Sequence, residues 1–148
     1  MLTKLIGRDD NIKNPTWITI PWSIMHFWTG ILSAMIFKYY NFPDKFNIIL
    51  SFIIHSLYEC NDYYKTHIAK EYPKDGSGGH SVENCIGDGI VNLIGTILYL
   101  KKYKQKPSGK TVIFSIIFTL IFGHIIIYYY GDNWQPIYRK QINQLFYS

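Results

Sequence analysis

The sequence predicts an all-α fold: an integral membrane protein built as an antiparallel bundle of four transmembrane helices, at about 17–40, 44–64, 81–100 and 111–130. Three observations predict it. Apolar residues come in long blocks, which is the membrane pattern. Charged residues make up 17% of the chain and hydrophobic ones 48%, a charge fraction below the ~25% of an ordinary soluble domain. The connectors "NFP", "KTHIAKEYPKDGSGG" and "KKYKQKPSGK" are short, and short connectors favour antiparallel neighbours. The near-zero mean hydropathy averages greasy blocks with polar connectors.

Residues 1–148 read as a single transmembrane domain with a polar N-terminal arm, 1–16. That arm has no apolar h-region of the kind a cleavable signal peptide needs, so the first span is expected to serve as its own insertion signal. This span opens with Trp17 and Trp22 and closes with Tyr39 and Tyr40, an aromatic belt. Pro21 is expected in its first turn, where proline is tolerated. The second span has a short apolar part, "FNIILSFIIHSLY". Ser81, after a "DGSGG" turn, is a plausible N-cap for the third. The fourth, "TVIFSIIFTLIFGHIIIYYY", is the cleanest and carries one ionisable residue, His124. At ~1.5 Å per residue each segment can cross a ~30 Å hydrocarbon core. In the tail, Trp134, Tyr138, Ile142 and Leu145 have the spacing of an interfacial helix over 133–147, and a frayed tail fits equally well.

The net charge is +5. The lysines lie between apolar blocks, so membrane lipids with anionic headgroups are the expected partners and nucleic acid is not. The dense "KKYKQKPSGK" connector favours its own side as cytoplasmic, with both termini on the other side. The Ile, Lys, Asn and Tyr bias is that of an AT-rich genome. A giant DNA virus or a protist would have one; a viral chain would sit in a host or virion membrane.

The polar residues within the spans are not scattered. His26, His55, Asp88 and His124 each fall roughly 9–14 Å below the same membrane surface. They also share faces, since helical positions i, i+4 and i+7 lie together. In the second span Ser51, His55, Glu59 and Asp62 fall within an arc of about 80°, backed by Leu50, Ile53, Ile54 and Leu57. In the third, Asn84, Asp88, Asn92 and Gly95 form a stripe backed by Ile86, Ile90, Leu93 and Ile97. In the first, His26 sides with Gly30 and Ser33, opposite Met25, Leu32 and Met35. A charge at the bilayer centre costs roughly 2.5–3.5 kcal/mol, and facing stripes remove each other's cost. Asp62 and Glu83 lie nearer the surface, and His124 has no polar neighbours on its face, which fits a structural role.

Asn and Ser in spans often serve only as interhelical glue, at ~0.6 kcal/mol each. Two carboxylates and two histidines at one depth exceed that need, and intramembrane ionisable residues point to function. Three readings stay open. In the first, the layer binds a lipid headgroup, an ion or a proton: His26, Asn84 and Asn92 orient the ligand, and Asp88 or Glu59 pairs with its cation. In the second, it is a membrane enzyme acting on a lipid-linked substrate. His55, Glu59 and Asp88 are the candidate catalytic residues, with His55 as a base oriented by Glu59, or with His26, His55, Glu59 and Asp88 offering N/O ligands to a divalent metal. There is no H-E-x-x-H, no G-x-S-x-G and no arginine cluster, so the sequence assigns no metal and names no cofactor. In the third, the chain is purely structural. Cys60 and Cys85 flank one loop and either pair, on an oxidising side, or pack as small residues.

A histidine in an early span, a carboxylate ending the next and D-x-x-x-N-x-x-G in a third is similar to the VanZ-like membrane proteins. "YE", then "EN" and "GD…N…G", resembles a related, uncharacterised family of bacterial inner-membrane proteins. The matching residues are His26, Tyr58, Glu59, Asp88, Asn92 and Gly95, over roughly Trp22 to Leu100. The resemblance implies a small multi-pass protein; some members are linked to resistance against glycopeptides acting on the cell envelope.

Overall fold

Residues 4–7, 15–20, 22–69 and 81–130 are described by a computed structural model. Four long helices dominate it: α1 Trp22–Tyr39, α2 Asp44–Tyr63, α3 Val82–Lys102 and α4 Gly109–Tyr130. Two short strands, β1 Lys4–Gly7 and β2 Thr16–Thr19, precede them and pair in parallel, with Lys4 opposite Thr16 and Ile6 opposite Ile18.

The strands correct the expected start of the first span. "TWIT" is rich in β-branched and aromatic residues, which suit a pleated strand better than a helix. The helix therefore opens at Trp22, not Trp17, and Pro21 lies outside the described residues. At 18 residues α1 is about 27 Å long. α4 alone among the described helices is apolar and long enough to cross a membrane by length and composition, over Gly109–Ile126. The expectation of four spans of that quality is not met. α2 and α3 each carry a polar stripe that lowers their apolar content, and in α1 His26, Lys38 and the serine, threonine and tryptophan residues do the same.

Local chemistry sets the helix ends. α1 stops in a Schellman motif: Phe42 N–H donates to Phe37 O at 3.0 Å, and Asn41 N–H donates to Lys38 O at 3.0 Å. Asn41 takes the required left-handed backbone at φ 63°, which asparagine tolerates. Pro43 follows, and α2 begins at once. α2 runs on into a π-helical turn, Tyr64–Ile68, where a connector was expected. Ser81 caps α3 as expected, its Oγ accepting from Asn84 N–H at 3.1 Å. Ser108 does the same for α4, accepting from Thr111 N–H at 3.1 Å, so that helix starts before Thr111. The 133–147 segment lies outside the described residues.

Cross-helix pairs give the directions. Ala34 meets Asn47 and Lys38 meets Asp44, so α2 runs antiparallel to α1. Ser23 meets Asp88, and Gly30 meets Thr96, so α3 runs parallel to α1. Trp28 meets Thr119, with Met25 beside Gly123 and Tyr39 beside Gly109, so α4 is antiparallel to α1. Each helix thus reverses its predecessor. α1 packs most extensively on α3; α2 closes against both, and α4 packs on α1 from outside.

The two ends of this bundle differ. Near the α1–α2 turn, Ala34, Met35, Tyr99, Leu100 and Val112 form an apolar core. Met35, placed by the sequence on the outward face, is part of it. The other end is filled by polar side chains. The largest fully buried side chains of the described residues are Asn47, Asn84, Thr16, Thr19, Thr96, Asp88 and Ser51.

Candidate functional site

The polar end is assembled from one face of each of three helices. On α2 the four buried residues are Asn47, Ser51, His55 and Glu59, a strict i, i+4 row. The expected stripe is shifted by one turn: Asn47 joins it, and Asp62 is only half-buried. On α3, Asn84, Asp88, Asn92 and Gly95 are all buried, as the stripe requires. On α1, Ser23 and Gly30 are buried and His26 is half-buried between them.

Four ionisable residues converge here. His26 sits at the centre. Its Nε2 lies 3.3 Å from Asp88 Oδ2 and its Nδ1 lies 3.8 Å from Glu59 Oε1. His55 Nε2 lies 3.1 Å from the same Glu59 oxygen. The two imidazoles meet edge to face with ring centres 5.0 Å apart, and Tyr58 flanks both at 6.3 Å. The short His55–Glu59 approach lacks the alignment of a hydrogen bond: His55 Nε2 and Glu59 Oε1 are both buried without a hydrogen-bond partner. Leaving such an atom unpaired costs about 1–3 kcal/mol.

Asp88 is held from behind. Its Oδ1 accepts from Ser23 Oγ at 2.8 Å, and Ser23 Oγ accepts from Thr19 N–H at 3.1 Å. Asn84 donates its amide to Thr19 Oγ1 at 3.2 Å, tying α3 to β2. Asn92 donates to His26 O and to Thr29 Oγ1, both at 3.1 Å, and so fixes the α1 backbone at His26. Amide donors of Asn84 and Asn92 thus bond to neighbouring elements and tie α3 to β2 and α1. Asn92 Oδ1 has no hydrogen-bond partner.

Thr19, Ser23 and Thr29 contribute to this network, and Asn47 extends the buried α2 row toward the apolar core by donating to Ala34 O at 3.0 Å; none of the four was singled out in the sequence. The helical signal was present, because Ser23 and Thr29 lie three residues either side of His26 and Asn47 lies four before Ser51. Thr19, in a strand, gave none. Glu83 is half-buried. His124 stands apart and exposed, its Nδ1 2.7 Å from Leu120 O one turn back. Both cysteines are free; Cys60 is exposed, and the Cys85 thiol lies against the Glu59 carboxylate.

A separate groove of about 790 Å³ opens at the opposite end, between α1, α3 and their connector to α4. Phe27, Ile31, Leu98 and Lys102 are among its walls, and none of the converging ionisable residues lines it.

Chemically, the cluster offers two imidazoles and a carboxylate whose donor atoms lie within 4.8 Å of one another, with a second carboxylate on the far side of His26. It can hold a proton or a cation, or accept a polar group. Compared with known protein families, curated proteins and solved structures, the chain matches none.

Proposed function

We propose that this chain is a small multi-pass integral membrane protein whose four helices cross the bilayer, and that its His26–His55–Glu59–Asp88 layer, within one leaflet, binds a lipid headgroup, an ion or a proton without covalent chemistry. One observation carries the reading: burial is inverted. Asn47 and Asp88 are 0% and 1% exposed, while Leu57 and Phe114 are 66% and 69% exposed. The exposed apolar residues form whole helix faces: Phe46, Ile49, Ile53 and Leu57 on α2, and Ile86, Ile90, Ile94 and Leu98 on α3. Scattered apolar residues are normal on soluble surfaces, but contiguous faces of this extent need an apolar medium or partner. Lipid supplies one on every side at once. The polar stripes of α1 to α3 then lie inward and shield each other, which is how membrane helices carry ionisable side chains.

The resemblance to VanZ-like proteins belongs to this reading, because His26, Glu59, Asp88 and Asn92, which carry it, are the residues of the cluster or its supports. A second reading, a membrane enzyme, draws on the 3.1 Å approach of His55 to Glu59, the relation of a base to the carboxylate that orients it.

Single replacements Glu59→Gln and Asp88→Asn test the site, since they keep size and remove charge. Both variants are expected to keep the gel-filtration profile and helicity of the parent. Native mass spectrometry of the parent released from lipid nanodiscs should show a bound ion or lipid that Glu59→Gln loses and Asp88→Asn holds more weakly. A parent that holds neither an ion nor a lipid, or a Glu59→Gln variant that binds as the parent does, would contradict the site.

A further inference from the structure

We propose that His26, His55 and Glu59 form a binding site for a divalent transition-metal ion of the zinc class, with Asp88 as the outer carboxylate that orients His26. The inference rests on the reading of the polar layer as a ligand site and names the ligand.

The donor geometry is the first argument. Three ligand atoms, one from each residue, lie within 4.8 Å of one another. Zinc bonds of ~2.0–2.2 Å in tetrahedral arrangement set neighbouring ligand atoms about 3.3 Å apart. The two separations from Glu59 Oε1, 3.1 Å to His55 Nε2 and 3.8 Å to His26 Nδ1, fall either side of that value. His55 and Glu59 stand four apart on one helix face, a spacing that places two side chains on one ion.

The alignment of these atoms, the second argument, also favours a metal over a simple pair. His55 Nε2 and Glu59 Oε1 are on residues 7% and 8% exposed, and neither atom has a hydrogen-bond partner. A structural His–Glu pair would align its N–H with the carboxylate. Here the two atoms approach to 3.1 Å without that alignment. Glu59 finds its ion-pair partners among the described residues only in His26 and His55, so a dication would also balance its buried charge.

The third argument is the far side of His26. Metal-binding histidines commonly give their second ring N–H to a carboxylate, which fixes the tautomer and raises ligand basicity. His26 Nε2 faces Asp88 Oδ2 at 3.3 Å while Nδ1 faces Glu59. Asp88 is in turn fixed by Ser23, and Ser23 by the Thr19 backbone. The chain Thr19–Ser23–Asp88–His26 is a built outer shell, contributed by β2, α1 and α3. Two imidazoles and a carboxylate suit zinc, cobalt or nickel better than calcium or magnesium, and three protein ligands leave a coordination position open for exchange.

The full chain, purified in lipid nanodiscs and stripped with chelator, should bind one Zn²⁺ per chain in equilibrium dialysis. Its Co²⁺ form should show the intense visible absorption of a low-coordinate ion. X-ray absorption of the zinc form should give a nitrogen and oxygen shell with two imidazoles. His55→Ala and Glu59→Gln should abolish binding. Asp88→Asn should keep the stoichiometry and weaken affinity about 10- to 100-fold, as loss of an outer-shell partner does. A chain with His67 and His124 replaced by glutamine should bind as the parent does. Should Glu59→Gln fail to fold, Glu59→Asp, a shortened ligand, should bind with reduced affinity. No zinc on the parent, a sulfur-dominated shell, or binding indifferent to residue 59 would overturn the metal site. A parent that holds a lipid but no zinc refutes the metal alone and leaves the ligand site standing. Zinc bound to a chain whose α2 and α3 are water-exposed refutes the membrane reading alone.

Discussion

Gly95→Leu is expected to yield no stably folded bundle. α1 and α3 cross through a reciprocal pair of glycines. A Cβ on Gly30 would fall on the Asn92 carbonyl oxygen, and one on Gly95 would fall on the Phe27 carbonyl oxygen. Small residues at such crossings let two backbones touch. Because the obstructing atoms are backbone, no rotamer change relieves the clash. The helices must separate, and separation breaks the bonds that depend on their closeness: Thr96 Oγ1 to Gly30 O, Asn92 to His26 O, and Ser23 to Asp88. Overpacking alone costs about 1–3 kcal/mol, and each buried polar group left unpaired adds a similar amount. Gly89→Ala provides the contrast. Its added carbon would meet only the His55 ring edge at 3.9 Å, an ordinary contact, so it should unfold near the parent's midpoint in detergent. Gly95→Leu should lack a cooperative transition and a monodisperse peak.

Asp88→Leu is expected to destabilise the chain by about 3 kcal/mol or more, the usual result of removing one member of a buried polar pair. The leucine has the same branching and is apolar, so a simple transfer argument would predict a gain. The loss arises in the partners. Ser23 Oγ loses its acceptor, and His26 Nε2 loses the carboxylate 3.3 Å away. Asp88→Asn keeps an acceptor for Ser23 and should cost far less. Chemical unfolding of the three chains in one detergent measures the difference. If Asp88→Leu matched the parent, Asp88 would not be the group that holds Ser23 and His26.

Much of this arrangement is legible in the sequence because helices impose a period. The Asn84–Asp88–Asn92–Gly95 stripe, the inward rows of α2 and the Ser81 cap all follow from positions i, i+4 and i+7 on one face. The convergence of His26, His55, Glu59 and Asp88 follows from equal depth in antiparallel helices. What was not legible depends on non-helical backbone or on packing. "TWIT" borders an apolar block, and reading Trp17 as part of an aromatic belt extends the span through it. Its β2 pairing depends on a partner, Lys4–Gly7, several residues away. The role of Thr19 behind Asp88 depends in turn on that strand. Met35 looks lipid-facing by angle alone, yet it is buried against Tyr99 and Leu100 in the apolar core. Asn84 and Asn92 read as ligand contacts by type; their bonds to Thr19 and to His26 O are visible only in the fold.

The account stands on the apolar faces of α2 and α3 meeting lipid while their polar faces meet each other. Nitroxide labels at Ile54, Ile90 and Phe114, placed singly in bilayer-reconstituted protein lacking Cys60 and Cys85, test this most directly by power-saturation spectroscopy. The account predicts strong relaxation by oxygen, which concentrates in hydrocarbon, and little by a water-soluble paramagnetic chelate at all three sites. Strong relaxation by the chelate at Ile54 or Ile90 would put α2 or α3 in water and contradict it.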